Sequence, residues 1–135
     1  TGSVIVRVGT NSNGMTFTVT PAITSLSVAN GAATASVIIS GSSFGSSPGA
    51  GSVRFNGVTA SVQSWSQSTI AARVPAGATS GPVVVRVNGF DSNGVAFTVV
   101  PTATLSAVTP AAGAIGAVVT IAGSGFGPAQ GSSTL

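Results

Sequence analysis

The chain has 135 residues, 19 of them Gly, and only 4% are charged, where an ordinary globular domain carries roughly 25%. Four Arg and one Asp give a net charge of +3, and Lys, Glu, His, Cys and Tyr are missing altogether. Disulfides are thereby excluded, as are Cys/His or clustered-carboxylate metal sites. Nucleophilic catalysis is excluded too, because a reactive Ser needs a base within reach. We therefore expect no catalytic residue, no metal and no cofactor.

Residues 2–21 read GSVIVRVGTNSNGMTFTVTP, and residues 81–101 read GPVVVRVNGFDSNGVAFTVVP. Arg7 matches Arg86 at an offset of 79, and Phe17 matches Phe97 at 80. Residues 36–45 (SVIISGSSFG) recur at 118–127 (VVTIAGSGFG), with Phe44 and Phe126 offset by 82. Fixed-period similarity of this kind indicates tandem units, here of about 80 residues. The expected division is residues 1–21, the C-terminal strands of one repeat; 22–101, a complete repeat; and 102–135, the N-terminal strands of the next. The chain is read as part of a longer array, with short linkers at 19–22 and 99–102.

Within 22–101 the hydrophobic period is two, the signature of half-buried strands. Seven strands are predicted, at about 23–29, 34–40, 52–56, 58–65, 69–74, 83–88 and 95–100. Their inward residues are Val37 and Ile39, then Val53 and Phe55, then Ile70 and Val74, then Val83, Val85 and Val87, and finally Phe97 and Val99. Arg54, Arg73 and Arg86 fall on the outward set. Asn56-Gly57 is placed to make a tight hairpin turn, since both residues tolerate positive φ. Asn93-Gly94 is placed to turn the chain into the last strand. Seven short strands spaced by turns predict an all-β, immunoglobulin-like antiparallel β-sandwich.

Two features stand outside this pattern. Gly41-Ser42-Ser43-Phe44-Gly45 has neither the Lys nor the following helix of a phosphate loop. It reads instead as a bend whose Phe44 plugs the core. Trp65, the single Trp, is the candidate for stacking on a sugar ring. Its structural reading, a ring packed at a sheet edge or under a loop, fits better, because no charged partner lies near it in sequence. Asp91 is expected to pair with an Arg.

The ordered set Ile23-Thr24-Ser25-Leu26, Val37-Ile38-Ile39-Ser40-Gly41-Ser42-Ser43-Phe44-Gly45, Val53-Arg54-Phe55-Asn56-Gly57, Ser64-Trp65-Ser66 and Ile70-Ala71-Ala72-Arg73-Val74-Pro75 resembles the IPT/TIG family of immunoglobulin-like domains, particularly those of bacterial surface and secreted proteins. Gly77, Ser80-Gly81 and Val83-Val84-Val85 complete it. The resemblance spans nearly all of 22–101. It implies a seven-stranded sandwich without the usual disulfide and carries no catalytic residue. Some members bind DNA through basic loops, but here those loops hold Ser, Gly and Ala. The four Arg are isolated, so no nucleic-acid partner is expected.

The mean hydropathy of +0.60 and scarce charge predict a neutral Ser/Thr/Gly surface tolerant of self-packing. No stretch reaches the roughly 20 apolar residues of a membrane helix, and no signal-peptide pattern follows Thr1, so any targeting segment is expected to lie outside the chain. The expected role is that of a rigid structural bead in an extracellular bacterial surface protein, stalk or filament. Its expected partners are other repeats and identical neighbouring molecules. A spacer or accessory domain of a secreted polysaccharide-acting enzyme is the first alternative, and an adhesin module binding a glycan or protein is the second.

Overall fold

A computed structural model describes residues 2–126. Its elements are β1 (Gly2–Val4), β2 (Arg7–Val8), β3 (Thr10–Asn11), β4 (Met15–Phe17), β5 (Ala22–Leu26), β6 (Asn30–Gly31), β7 (Ser36–Ser42) and β8 (Ser52–Phe55). They continue with β9 (Val58–Thr59), β10 (Ser61–Trp65), β11 (Thr69–Arg73), β12 (Gly81–Val87), β13 (Phe90–Asp91), β14 (Val95–Val99), β15 (Thr104–Thr109) and β16 (Thr120–Ser124). There is no helix among the described residues.

Residues 22–99 form a two-sheet, immunoglobulin-like sandwich. One sheet has the order β10-β11-β7-β5, and the other β6-β14-β12-β8-β9 with β13 also on β12. Alternation along each strand makes the core. Val37 and Ile39 of β7, Val53 and Phe55 of β8, Ile70 and Ala72 of β11, and Val83 and Val85 of β12 are fully or almost fully buried between the sheets. Val74, Phe97, Ile23 and Ala60 join them. Phe55 and Phe97 meet edge to face across 5.2 Å. Arg54 and Arg86 are half-buried and Arg73 is exposed, on the outward faces.

Four sequence expectations are corrected. Val87 and Val99 are half-buried rather than buried, because each is the last residue of its strand, where the facing sheet no longer covers it. The single strand expected over 58–65 is two: β9 pairs with β8, the chain crosses at buried Ala60, and β10 pairs with β11 in the other sheet. The first strand ends at Leu26, and the chain then reaches the opposite sheet, where β6 pairs with β14 in parallel. Asn56-Gly57 turns as expected, with φ of 44° and 87°, but Asn88-Gly89 makes a second such turn, at 49° and 88°.

Asn93 has a role beyond turning the chain. Its side-chain oxygen accepts from the Ile23 backbone N–H at 2.8 Å, and its amide donates to the Ile23 carbonyl at 3.0 Å. The side chain thus imitates a strand partner and ties β5, in one sheet, to the segment leading into β14, in the other. Losing both bonds and leaving the Ile23 backbone groups unpaired should cost about 1–3 kcal/mol. Urea unfolding of Asn93→Ala checks this, and a loss below about 0.5 kcal/mol contradicts it.

The flanking hairpins copy the sandwich in register. β1 and β4 pair Gly2↔Phe17, Ser3↔Thr16 and Val4↔Met15, as β12 and β14 pair Gly81↔Phe97, Pro82↔Ala96 and Val83↔Val95. β15 and β16 pair Thr104↔Ser124 and Leu105↔Gly123, with a bulge before Ala107↔Ala122. β5 and β7 pair Ala22↔Ser42 and Ile23↔Gly41, with a bulge before Ser25↔Ser40. The backbone N–H of Val6 bonds to Ser12 Oγ at 3.0 Å, as that of Val85 bonds to Ser92 Oγ at 3.0 Å.

Candidate functional site

The chain passes through the sandwich from one end to the other. Ala22 starts β5 opposite Ser42, the last residue of β7, whereas Val99 ends β14 beside Gly31, beyond the far end of β5. The end at which the chain arrives carries the features that the sequence singled out.

Phe44 is fully buried there. A Cβ on Gly41 would overlap both the Ala22 carbonyl and the Phe44 ring, so only Gly leaves room for the plug. The Phe44 N–H donates to the Gln67 carbonyl at 3.1 Å, and the Gly41 N–H to Ser68 at 2.9 Å. The turn between β10 and β11 is thereby tied to the loop.

Trp65 is half-buried beside the plug. Its Nε1–H donates to the Phe44 carbonyl at 3.0 Å, and its ring meets Phe44 edge-on at 6.4 Å and 64°. One edge lies over Gly51, where a Cβ would sit 3.2 Å from the ring. The indole donor is therefore spent inside the protein, and the ring braces the loop.

Beside the plug lies an open cleft of about 270 Å³ lined by Val19, Pro21, Ser43, Gly45, Gln67, Val87, Asn88 and Phe90. Three segments build it: the stretch preceding β5, the Phe44 loop with its partner turn, and the tip of the β12–β13 hairpin. It contains no titratable group. No group of three or more potential metal-ligating side chains occurs among the described residues.

The same hairpin and the neighbouring β8 carry the ion cluster. Asp91 Oδ1 accepts from Arg54 at 2.8 Å and from Arg86 at 3.0 Å. Partial desolvation pushes the Asp91 carboxyl up, but the hydrogen bond from Arg86 and the charges of Arg54 and Arg86 outweigh it and hold it below its ordinary value. Arg73 instead donates to the Thr34 carbonyl at 2.9 Å. The sequence located Asp91 but did not identify its partners; Arg54 and Asp91 are 37 residues apart and meet only through the β8–β12–β13 register.

Residues 21–99 match the IPT/TIG domain. The chain belongs to the IPT/TIG family. IPT/TIG domains are non-catalytic and immunoglobulin-like, in keeping with the sandwich seen here. No curated protein matches the sequence. Among solved structures, a γ-CGTase from Alkalophilic bacillus clarkii is similar at 31% identity and a TM-score of 0.53, over 60% of this chain and 12% of that one. An auxiliary nutrient binding protein from Bacteroides thetaiotaomicron is similar at 18% identity and a TM-score of 0.54, over 64% of this chain and 22% of that one. A structural genomics protein of unknown function from the same organism gives 19% and 0.58, over 64% and 23%. The last two share the fold alone. The chain spans less than a quarter of each of these structures. No helix among the described residues is long and apolar enough to cross a membrane.

Because Asp91 is the only acidic side chain in the sequence, it should dominate the acid dependence of stability. Its folded value lies below its unfolded one. Its contribution is thus present above the unfolded value and is lost as pH falls through the folded one. Thermal unfolding across the acidic range should show the midpoint falling with pH in the wild type. In Asp91→Asn the midpoint should start lower and stay nearly flat. High salt should reduce the difference, since the pair is solvent-facing.

Proposed function

We propose that this chain serves as a structural bead in a tandem array of IPT/TIG domains belonging to an extracellular bacterial surface protein, stalk or filament. The observation that carries the reading is the repeated register. The hairpins at 2–17 and 104–124 reproduce, partner for partner and including one bulge, the pairings of the complete sandwich. In the flanks, the residues matching buried core positions are open. Val4 is 56% exposed and Phe17 60%, whereas Val83 is 0% and Phe97 3%. Such faces call for further strands of their own repeats.

The path of the chain supports a linear string, because it arrives at one end of the sandwich and leaves at the other. Scarce charge leaves a neutral surface suited to lateral contacts with identical neighbours. The partners in this reading are adjacent repeats and copies of the same protein.

A second reading has one observation in its favour. The similarity to γ-CGTase, at 31% identity, fits an accessory domain of a secreted polysaccharide-acting enzyme, with the chemistry elsewhere in that protein. Single-molecule stretching of the full-length protein separates the two. An array should unfold in successive equal steps. Each step should lengthen the tether by about 240 Å, from roughly 80 residues at about 3.5 Å less a folded bead of about 40 Å. A single step of this size, together with larger and unequal steps from other domains, contradicts the array and favours the enzyme-linked reading.

A further inference from the structure

The sequence contains five Asn-Gly pairs: Asn13-Gly14, Asn30-Gly31, Asn56-Gly57, Asn88-Gly89 and Asn93-Gly94. Two of them, Asn56-Gly57 and Asn88-Gly89, occupy hairpin turns of almost the same backbone conformation, with φ of 44° and 87° in one and 49° and 88° in the other. They differ in what holds the asparagine. The Asn56 amide donates to Thr79 Oγ1 at 2.8 Å and to the Ser80 carbonyl at 3.2 Å, and its side chain packs closely against Gly81. The Asn93 side chain is held at both atoms by Ile23. Asn88 is exposed and its side chain makes no hydrogen bond among the described residues, while the space where Gly89 would carry a side chain is empty.

We infer that Asn88-Gly89 is a site of spontaneous self-modification, at which water converts the asparagine to aspartate and isoaspartate. The backbone nitrogen of Gly89 attacks Cγ of Asn88. The new N–Cγ bond forms as the Cγ–Nδ2 bond breaks, and Nδ2 leaves as ammonia, taking up the proton that the Gly89 nitrogen gives up. Water then opens the five-membered cyclic imide. Opening at one carbonyl gives aspartate; opening at the other gives isoaspartate, which runs the main chain through the former side chain. The chain gains one water and loses one ammonia, and nothing is oxidised or reduced. Glycine favours the attack because no side chain shields its nitrogen. With no hydrogen bond holding it, the Asn88 side chain can turn about its Cα–Cβ bond and bring Cγ to that nitrogen, whereas Asn56 must first break two hydrogen bonds.

The location gives the change a consequence. Asn88 lines the open cleft that Val19 and Pro21 also line. The product places a second acidic side chain in a sequence that has one and lowers the net charge of +3 by one unit. Isoaspartate also lengthens the main chain within a two-residue turn and so reshapes one side of the cleft.

Peptide mapping of the intact 135-residue chain, held folded in mildly alkaline buffer, tests the inference. Trypsin, cutting after Arg54, Arg73 and Arg86, puts Asn56 on peptide 55–73 and Asn88 on peptide 87–135, where fragmentation separates Asn88 from Asn93. Asn88 should convert from amide to acid about tenfold or more faster than Asn56, the ratio expected from two hydrogen bonds that must open first. In urea the two should convert at similar rates. The aspartate product should co-elute with Asn88→Asp on ion exchange. Asn56 keeping pace with Asn88 in the folded chain overturns the inference, as does an Asn88 that stays intact when folded while it converts when unfolded.

Discussion

The contact between Gly41 and Phe44 is the constraint around which the sandwich is arranged. β5 and β7 approach so closely at Gly41 that its missing side chain is replaced by the Ala22 carbonyl on one side and the Phe44 ring on the other. The ring turns back over its own strand and closes the end of the core, and the Phe44 carbonyl receives the Trp65 indole. One glycine therefore sets the β5–β7 register, seals the core and fixes the only Trp. The flank repeats the arrangement: a Cβ on Gly123 would meet the Thr104 carbonyl and the Phe126 ring. The same local rule is written twice in the sequence and executed twice in the structure.

Period-two alternation was enough to place most of the core, because a side chain on a pleated strand has only two directions to point. It gave Val87 and Val99 the right direction but not their half-burial, because periodicity carries no information on where the facing sheet ends. It ran β9 and β10 together, because Ala60 keeps the alternation while the backbone changes sheets. It missed Ile23 as a core residue and Asn93 as its clamp, 70 residues away. No local signal distinguishes an asparagine that turns the chain from one that pairs with a distant strand. The second Asn-Gly hairpin was open to detection, since Asn88-Gly89 lies between apolar residues as Asn56-Gly57 does. The alternation of Val83, Val85 and Val87 leads straight into Asn88 and hides the turn, so the predicted strand continues to residue 88.

At the leading end, Phe44 was legible because a Phe between glycines after a β-branched run has few uses other than filling space. The cleft was not, because its walls come from residues 19–21, 43–45, 67 and 87–90, brought together only by tertiary structure. Charge was legible in amount and not in arrangement. With one acid available, an ion pair was predictable, but its division between Arg54 and Arg86 depends on β8 and β13 flanking β12. The result is a domain that rests on backbone approach, turn chemistry and shape, with the ion pairs among the described residues gathered where β8, β12 and β13 meet.

Gly41→Ala tests the central claim most directly, because it adds one methyl group and removes nothing. If the β5–β7 approach and the Phe44 plug organise the sandwich, the methyl group displaces either the Ala22 backbone or the ring. Urea unfolding of the 135-residue chain should then show a loss of about 3 kcal/mol or more, above the usual cost of a tight core because backbone must move. Trp65 fluorescence should shift as its anchor on the Phe44 loop is disturbed. A variant within about 0.5 kcal/mol of the wild type, with unchanged Trp65 emission, would contradict the account.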